Sequence, residues 1–205
     1  ALSYLDCAFG GEALARAEGL GLIGGRRRQD GENTVRILGN RALSPLTSGA
    51  GRLFEAVSAI LGIGDVNTYE GEAAMALEAA AAPEVEGSYP FDIAEGDPAV
   101  IDFTGAVRAL VEESLRGAHS AVASAKFHAT VAAAVAGVAA GAAERAGVTD
   151  VALTGGVFQN RLLLGRVIGL LRDRGLVPLF NTRVPANDAG ISLGQAFLLR
   201  HAPED

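Results

Sequence analysis

The sequence of 205 residues is poor in sulfur, with one cysteine and one methionine, and it has no tryptophan. A single cysteine, Cys7, excludes an internal disulfide and a zinc cluster built from cysteines. It also favours a reducing compartment, so we expect a cytoplasmic protein. We expect Cys7 itself to be a small buried hydrophobic residue, because free cysteines usually are.

Long apolar runs and a targeting signal are lacking as well. No uninterrupted apolar run reaches the roughly 18–20 residues that span a bilayer, and the nearest one, 130–143, is short and rich in alanine and glycine. The chain begins at Ala1 without a basic region, so no signal peptide is predicted. We therefore expect no membrane partner, and the missing initiator methionine suggests a piece of a longer protein.

Positive charge is scarce, since the sequence has 17 Lys and Arg residues against 24 Asp and Glu residues and a net charge of −7. This acidic balance argues against a nucleic-acid-binding surface. The triple arginine 26–28 is interpreted as part of an exposed loop. With 49% hydrophobic residues the chain can bury a core, and its length fits one large domain or one and a half typical domains.

Hydrophobic periodicity predicts a mostly helical α/β protein with a small sheet flanked by many helices. Apolar residues at i, i+3, i+4 and i+7 predict a helix over 51–60. Further helices are predicted over 1–22, 34–38, 71–82, 102–117, 120–147, 162–171 and 190–199. Loops are predicted over 24–34 and 83–100, the second with one short strand near 88–93. Residues 150–154 and 177–181 are predicted to be two parallel strands of a β–α–β unit.

Glycine and polar residues follow both of these strands. Gly155 and Gly156 precede a helix, so backbone N–H groups and the positive helix N-terminus can meet a ligand there, although a tight β–α turn explains the glycines equally well. Asn187 or Asp188 could cap the last helix, and Asp188 could alternatively serve as a metal ligand. Because ligands of α/β sheets lie at the carboxyl ends of strands, we expect both loops to share one sheet edge.

Acidic residues form a third candidate group, with Glu55 on the helix 51–60 and Glu70 in the segment 69–72. A carboxylate that accepts ribose hydroxyls is a common nucleotide-binding device, but a lone acid is more often a solvated surface residue. The histidines have no i, i+4 pair and predict no zinc site within this chain. His128 is interpreted as a core or cleft-edge residue.

Taken together, three segments resemble one family. The sequences SPLTSGAGRLFEAVSAILG…YEGEAAMALE, KFHATVA and ALTGGVFQNRLLL…VPLFNTRVPANDAGISLGQA are similar to the C-terminal part of the HypF family of hydrogenase maturation carbamoyltransferases. The resemblance covers essentially all of 1–205. It implies the second lobe of a bilobal domain in the actin-like ATPase superfamily, with the first lobe and upstream domains outside this chain.

For nucleotide binding, the resemblance implies roles for three segments. The family's G-G-V-x-x-N loop binds the adenosine part of the nucleotide and matches Gly155, Gly156 and Asn160. The acid of its G-R-L-F-D helix contacts the nucleotide, and here that position holds Glu55 in place of aspartate.

The remaining motifs complete the implied site. The Y-E-G loop, on the ribose side, matches Glu70 and Gly71, and the aspartate of the P-x-N-D-G-G loop binds metal and matches Asp188. Ala189 replaces the first glycine of that last motif. The family's metal-binding histidines belong to the first lobe.

The resemblance also implies a reaction and partners. Carbamoyl phosphate and ATP give carbamoyl adenylate, and the carbamoyl group passes to the C-terminal cysteine of the partner protein HypE. The cofactors implied are ATP and a divalent metal, iron or zinc. Two alternatives remain open: a kinase-like lobe of the same superfamily that transfers phosphoryl groups, and a truncated, non-catalytic module that binds partners.

Overall fold

The computed structural model describes residues 1–23, 28–82 and 84–201. It divides into two compact units, Ala1–Ala134 and Val135–Asp205. One long helix, α7 (Ser120–Ala146), begins in the first unit and ends in the second.

The first unit is built mainly of helices. In chain order these are α1 (Leu2–Phe9), α2 (Ala13–Gly19), α3 (Arg28–Leu38), α4 (Ala50–Ile60), α5 (Glu72–Ala80) and α6 (Thr104–Leu115), followed by the start of α7. Helix α1 packs against α2, α3 and α6, and α4 packs against α5. The short strands β1 (Asp92–Ala94) and β2 (Val100–Asp102) pair antiparallel, with Ile93 opposite Ile101.

An aromatic cluster occupies the core of the first unit. The ring of Phe54 on α4 meets Phe127 of α7 edge to face, with 5.0 Å between ring centroids. It meets the ring of His128 in the same way at 5.3 Å. His128 is fully buried, and its Nδ1 lies 2.8 Å from the backbone oxygen of Ser124. The prediction of a core histidine is therefore confirmed.

The second unit contains the β–α–β arrangement. Strand β3 (Asp150–Leu153) leads through α8 (Arg161–Arg172) to strand β4 (Val177–Phe180), and the two strands are parallel with Leu153 opposite Phe180. Helix α8 packs on β4 through a stripe whose buried members are Leu163, Val167 and Leu171. The predicted strands, helix and strand direction are confirmed. The last helix is α9 (Ile191–His201).

Helix α7 is long and apolar enough to cross a membrane when length and composition alone are considered. The most apolar 18-residue window of this helix is 56% buried inside the protein. Its fully buried residues are mostly alanines, such as Ala123 and Ala132. A core helix of a globular protein has this pattern, because small side chains let neighbouring helices approach closely.

Two sequence predictions about secondary structure are wrong. The predicted first helix is divided in two by a 3₁₀ turn over Gly10–Glu12, where Gly10 has φ = +53°. The predicted single sheet is in fact two separate pairs of strands. Strand β2 was not predicted, since residue 100 was assigned to a loop and Asp102 to the start of a helix. Strands of three residues, mostly exposed, are too short to display a period of two.

The loop predicted over 24–34 is also wrong in part, since residues 28–34 are helical; the break expected at 24–25 lies outside the described residues. Gly31 is not a helix breaker here but a contact point, because a Cβ on it would lie 3.1 Å from Cδ2 of Leu14. Arg28 is part of helix α3 and donates to Glu18 at 2.8 Å. The Arg28 side chain is exposed, as expected, but it belongs to a helix and not to a loop.

Cys7 is exposed, which contradicts the prediction of a buried residue. The buried residues of α1 are Leu5 and Ala8. Cys7 lies two residues beyond Leu5, about 200° further around a helix of 3.6 residues per turn, and so faces away from the core.

A polar network fastens the segment before β1 to helices α6 and α7. The buried Tyr89 donates its hydroxyl to Glu113 Oε2 at 2.6 Å, and Lys126, the single lysine of the sequence, donates to Glu113 Oε1 at 2.7 Å. Burial raises the pKa of Tyr89, and the bond to Glu113 raises it further. Burial opposes ionisation of Glu113, but the bonds from Lys126 and Tyr89 outweigh it and lower the pKa of that carboxyl.

Replacing Tyr89 by Phe should lower the free energy of unfolding by about 1.5–3 kcal/mol at neutral pH, because a hydrogen bond to a charged group is lost. Since the folded pKa of Glu113 is depressed, the stabilisation is present above the ordinary glutamate value of 4.5 and is lost as pH falls through the lowered value. Urea unfolding of both proteins from pH 7 to pH 3 checks this.

The matched control for this experiment is Tyr69→Phe. Tyr69 is 56% exposed, and its hydroxyl has no hydrogen-bond partner within the described ranges, so a change within about 0.5 kcal/mol is expected. An equal loss for both variants, or a Tyr89→Phe deficit that does not narrow at acid pH, would contradict the network's role.

Candidate functional site

The loops after β3 and β4 lie side by side at the carboxyl edge of the parallel pair. The backbone N–H of Gly155 donates to the carbonyl oxygen of Ala186 at 2.8 Å. A Cβ built on Gly156 would come within 3.8 Å of the Cβ of Asn187. The expectation that both loops share one sheet edge is therefore confirmed.

The two glycines of the first loop have different reasons to be there. Gly155 has φ = +102°, a conformation that other residues rarely adopt. Gly156 begins a single 3₁₀ turn, Gly156–Gln159, and has an ordinary φ. The tight-turn explanation therefore accounts for Gly155 but not for Gly156, where the missing side chain leaves the backbone open to approach.

Asn160 has a structural role. It is the N-cap of α8, and its Oδ1 accepts the backbone N–H of Leu163 at 2.8 Å. An asparagine cap of this kind stabilises a helix by about 1 kcal/mol. Its nucleotide contact stays a prediction.

In the second loop the capping residue is Asn187, not Asp188. Asn187 Oδ1 accepts the N–H of Ala189 at 3.2 Å, at the start of the 3₁₀ turn Asp188–Gly190. The exposed carboxylate of Asp188 has no hydrogen bond or ion pair with the described residues. It is therefore available to a ligand.

The structural importance of Gly190 was not predictable from the sequence pattern. A Cβ on it would lie 2.9 Å from the backbone oxygen of Pro185 and 3.2 Å from Val184 Cγ1, so the loop closes on itself only with glycine here. Ala189 is exposed, which explains how this loop accepts a side chain in place of the first glycine of the family motif.

The described part of the chain holds no cluster of three or more His, Cys, Asp or Glu side chains that could bind a metal ion. Three protein ligands or more are usual for tight sites. Asp188 could thus supply one ligand of a metal site whose other ligands come from elsewhere. His119 and His201 are exposed, and His128 is buried in the core of the first unit.

The other predicted residues, Glu55, Glu70 and Gly71, belong to the first unit. The Glu55 side chain is 26% exposed and pairs with Arg52 Nη1 at 3.0 Å. Its other carboxylate oxygen accepts a hydrogen bond from Asn67 Nδ2 at 2.9 Å. Glu55 is therefore a held carboxylate, not a freely solvated one.

A cavity of about 750 Å³ lies beside this carboxylate in the first unit. Its lining includes Tyr4, Cys7, Arg41, Arg52, Glu55 and Asn67. Burial and the nearby Cys7 and Glu55 raise the pKa of Tyr4. No sequence pattern predicted that α1 would contact α4, the helix that carries Glu55, because this contact joins segments far apart in the chain.

The segment with Glu70 and Gly71 is shaped by its own hydrogen bonds. Gly71 has φ = +81° and is the N-cap of α5. The Thr68 hydroxyl donates to Glu72 Oε2 at 2.9 Å, and the bonds from Thr68 lower the pKa of Glu72. Glu70 is exposed and has no hydrogen bond or ion pair among the residues that the structure describes.

The glycine pair yields a stability prediction. Gly155→Ala should lower the free energy of unfolding by about 1–3 kcal/mol, because φ = +102° with ψ = +157° is a conformation that essentially only glycine adopts. Gly156→Ala should change it by less than about 0.5 kcal/mol, because the new Cβ makes only an ordinary contact. Chemical denaturation of both variants measures this, and equal losses would contradict the distinction between the two glycines.

Comparison with known proteins places these features in a family. Residues 2–195 match the family model described as "Carbamoyltransferase, Kae1-like Domain, second subdomain". The chain is 35% identical to the carbamoyltransferase HypF of Synechocystis over 176 residues, covering 84% of this chain and 22% of that protein. It is 42% identical to HypF of Rhizobium leguminosarum over 155 residues, covering 74% of this chain and 19% of the relative.

Solved structures agree with the sequence comparison. A crystal structure of full-length HypF in the phosphate- and nucleotide-bound form superposes with a TM-score of 0.86 at 32% identity, over 99% of this chain and 26% of that one. HypF of T. kodakarensis superposes with a TM-score of 0.73 at 26% identity, over 96% of this chain and 26% of that one. The chain thus spans about a fifth to a quarter of the length of these relatives. It belongs to the carbamoyltransferase family, as the second subdomain of the Kae1-like domain.

Proposed function

We propose that this chain is the nucleotide- and metal-contacting lobe of a carbamoyltransferase that acts as part of a longer protein. Elsewhere in that protein, water cleaves carbamoyl phosphate to carbamate and inorganic phosphate, and a carbamate oxygen then displaces pyrophosphate from ATP to give carbamoyl adenylate. The thiolate of the C-terminal cysteine of HypE then bonds to the carbamoyl carbon, the bond from that carbon to the AMP phosphate oxygen breaks, and AMP leaves. A thiocarbamate on HypE is the product, for [NiFe]-hydrogenase maturation.

The observation that carries this proposal is the hydrogen bond between Gly155 and Ala186. It joins the glycine loop to the loop of Asp188 at the carboxyl edge of a parallel strand pair, where α/β proteins bind ligands. The nucleotide-bound HypF relative, with its TM-score of 0.86, supports a nucleotide as the ligand. Membership of the carbamoyltransferase family favours carbamoyl transfer over phosphoryl transfer.

The residues of this chain would bind and orient the nucleotide. At Gly156 no side chain blocks the backbone, so a nucleotide can approach its loop closely. Asn160 fixes the start of α8, whose N-terminus carries partial positive charge that favours phosphate oxygens. The carboxylates of Glu55 and Glu70 can accept hydrogen bonds from ribose hydroxyls.

Asp188 would be one ligand of a divalent metal, iron or zinc. Its exposed carboxylate without a partner fits this role, since carboxylate oxygens bind both metals. The remaining ligands would be histidines of the first lobe. A cation held there would supply positive charge to phosphate and carbonyl oxygens.

The rest of the same longer protein would cover α9. This helix has no buried residue among those described, and its exposed apolar side chains include Ile191, Phe197 and Leu199. A helix with several large apolar side chains exposed to water is typical of an interface with another part of a protein. Since this chain corresponds to 22% of the Synechocystis relative, a longer protein of that size has enough further residues to cover α9.

The two lobes would form a bilobal domain of the actin-like ATPase superfamily, active in the cytoplasm.

The metal role is tested with Asp188→Asn in the full-length protein. A neutral amide oxygen donates far less charge to a cation than a carboxylate does. Metal content should drop, and carbamoyl transfer to HypE should fall by orders of magnitude, while the melting temperature of the metal-free protein stays the same. Metal analysis and the mass gain of the HypE C-terminal peptide measure these effects.

Two control variants accompany this experiment. Asp173→Asn removes an exposed carboxylate of the same unit, at the end of α8, and should leave metal and transfer unchanged. Asn187→Ala removes the cap and should cost about 1 kcal/mol of stability. Full metal content and full transfer in Asp188→Asn would exclude the ligand role.

A further inference from the structure

Glu55 is held by two donors that arrive from different places. Arg52 lies one turn before it on α4 and donates to Oε2 at 3.0 Å, but this arginine is 71% exposed. Asn67 comes from the segment after α4 and donates to Oε1 at 2.9 Å. An exposed ion pair within a helix contributes little to orientation, so Asn67 is the stronger constraint on the carboxylate.

Asn67 is itself fixed at its other end. Its Oδ1 accepts the backbone N–H of Ala73, in the first turn of α5, at 2.9 Å. Because the Ala73 N–H is only a donor, the atom that faces it must be the amide oxygen, and the NH₂ group must then face Glu55. The direction of the amide is thus set by the backbone.

Two more contacts stabilise the segment around Asn67. Thr68 is bonded to Glu72 through its hydroxyl and its backbone N–H, and Gly71 closes the turn at positive φ. The segment between Asn67 and α5 is therefore held at both ends, and Asn67 transmits its position to the carboxylate on α4.

We infer that Asn67 is a positioning residue, which holds the Glu55 carboxylate at the cavity so that it can accept hydroxyl groups of the nucleotide. This inference rests on the proposed function. Glutamate has one more rotatable bond than the aspartate of the family motif, and orienting it costs more side-chain entropy. The Asn67 amide restricts that freedom before the ligand arrives. Each carboxylate oxygen can accept about two hydrogen bonds, so capacity remains for the two ribose hydroxyls.

Asn67→Asp separates this role from a purely structural one. The aspartate retains an oxygen for the Ala73 N–H, so α5 keeps its start. The NH₂ donor becomes an oxygen that repels Glu55. In the full-length protein, ATP affinity by calorimetry should fall at least tenfold in a variant that is still folded at the assay temperature, although the lost bond and the repulsion lower its melting temperature. Asn33→Asp adds the same charge on α3, outside the cavity, and should leave ATP affinity unchanged.

The sugar of the nucleotide provides a second readout. A loosened cavity would lower the affinity for ATP and for 2′-deoxyATP equally. A misplaced Glu55 should lower the affinity for ATP much more, so that the protein no longer binds ATP more tightly than 2′-deoxyATP. Any other ATP site of the full-length protein is included in the fit as a second site, whose affinity these substitutions should leave unchanged.

A double-mutant cycle with Glu55→Gln decides whether Asn67 acts through Glu55. Asn67→Asp should have almost no further effect on ATP affinity in the Glu55→Gln background. Additive losses, or a loss with Glu55→Gln but none with Asn67→Asp, would overturn the positioning role while leaving nucleotide binding intact. If the Glu55→Gln, Gly156→Val and Asp188→Asn variants all bound ATP as tightly as the wild-type protein, the proposed function itself would be refuted.

Discussion

Burial of α7 is the constraint on which the first unit depends. Phe127 holds α4 through its edge-to-face contact with Phe54, and the hydroxyl of Ser124 donates to the backbone oxygen of Leu77 on α5 at 2.6 Å. These are the two helices that carry Glu55 and the glycine N-cap Gly71. Phe54 is buried, and the next residue, Glu55, lies about 100° further around α4, where it lines the cavity. The core contact therefore sets the direction of a functional side chain.

In the second unit the same logic applies on a smaller scale. Parallel pairing of β3 with β4 places the ends of both strands at one edge, and a single backbone hydrogen bond from Gly155 joins the loops that follow. Glycine is needed at position 155 for its positive φ and at position 190 for the close approach of the Pro185 carbonyl oxygen. Both glycines therefore determine the shape of their loops. Asp188 is left outside these contacts. A side chain that the fold does not use is available for chemistry.

Local sequence patterns predicted the structural features that depend on residues close together in the chain. The β–α–β unit, α4 and the strand direction follow from periodicity and connection rules, and all three are confirmed. Contacts between distant segments were not predictable in this way. Gly31 looked like a loop residue because the leucine it accommodates lies elsewhere in the chain, and Cys7 was misplaced because its helix face depends on tertiary packing. The Asn67 amide, which joins α4 to α5, carries no sequence signature at all, whereas the glycine loops do.

The central claim is that the glycine loop of this chain contacts a nucleotide. A structure of the full-length protein with a non-hydrolysable ATP analogue tests it most directly. The nucleotide should lie against the backbone at Gly155 and Gly156. An analogue bound only in other domains, with both loops free of ligand, would contradict it.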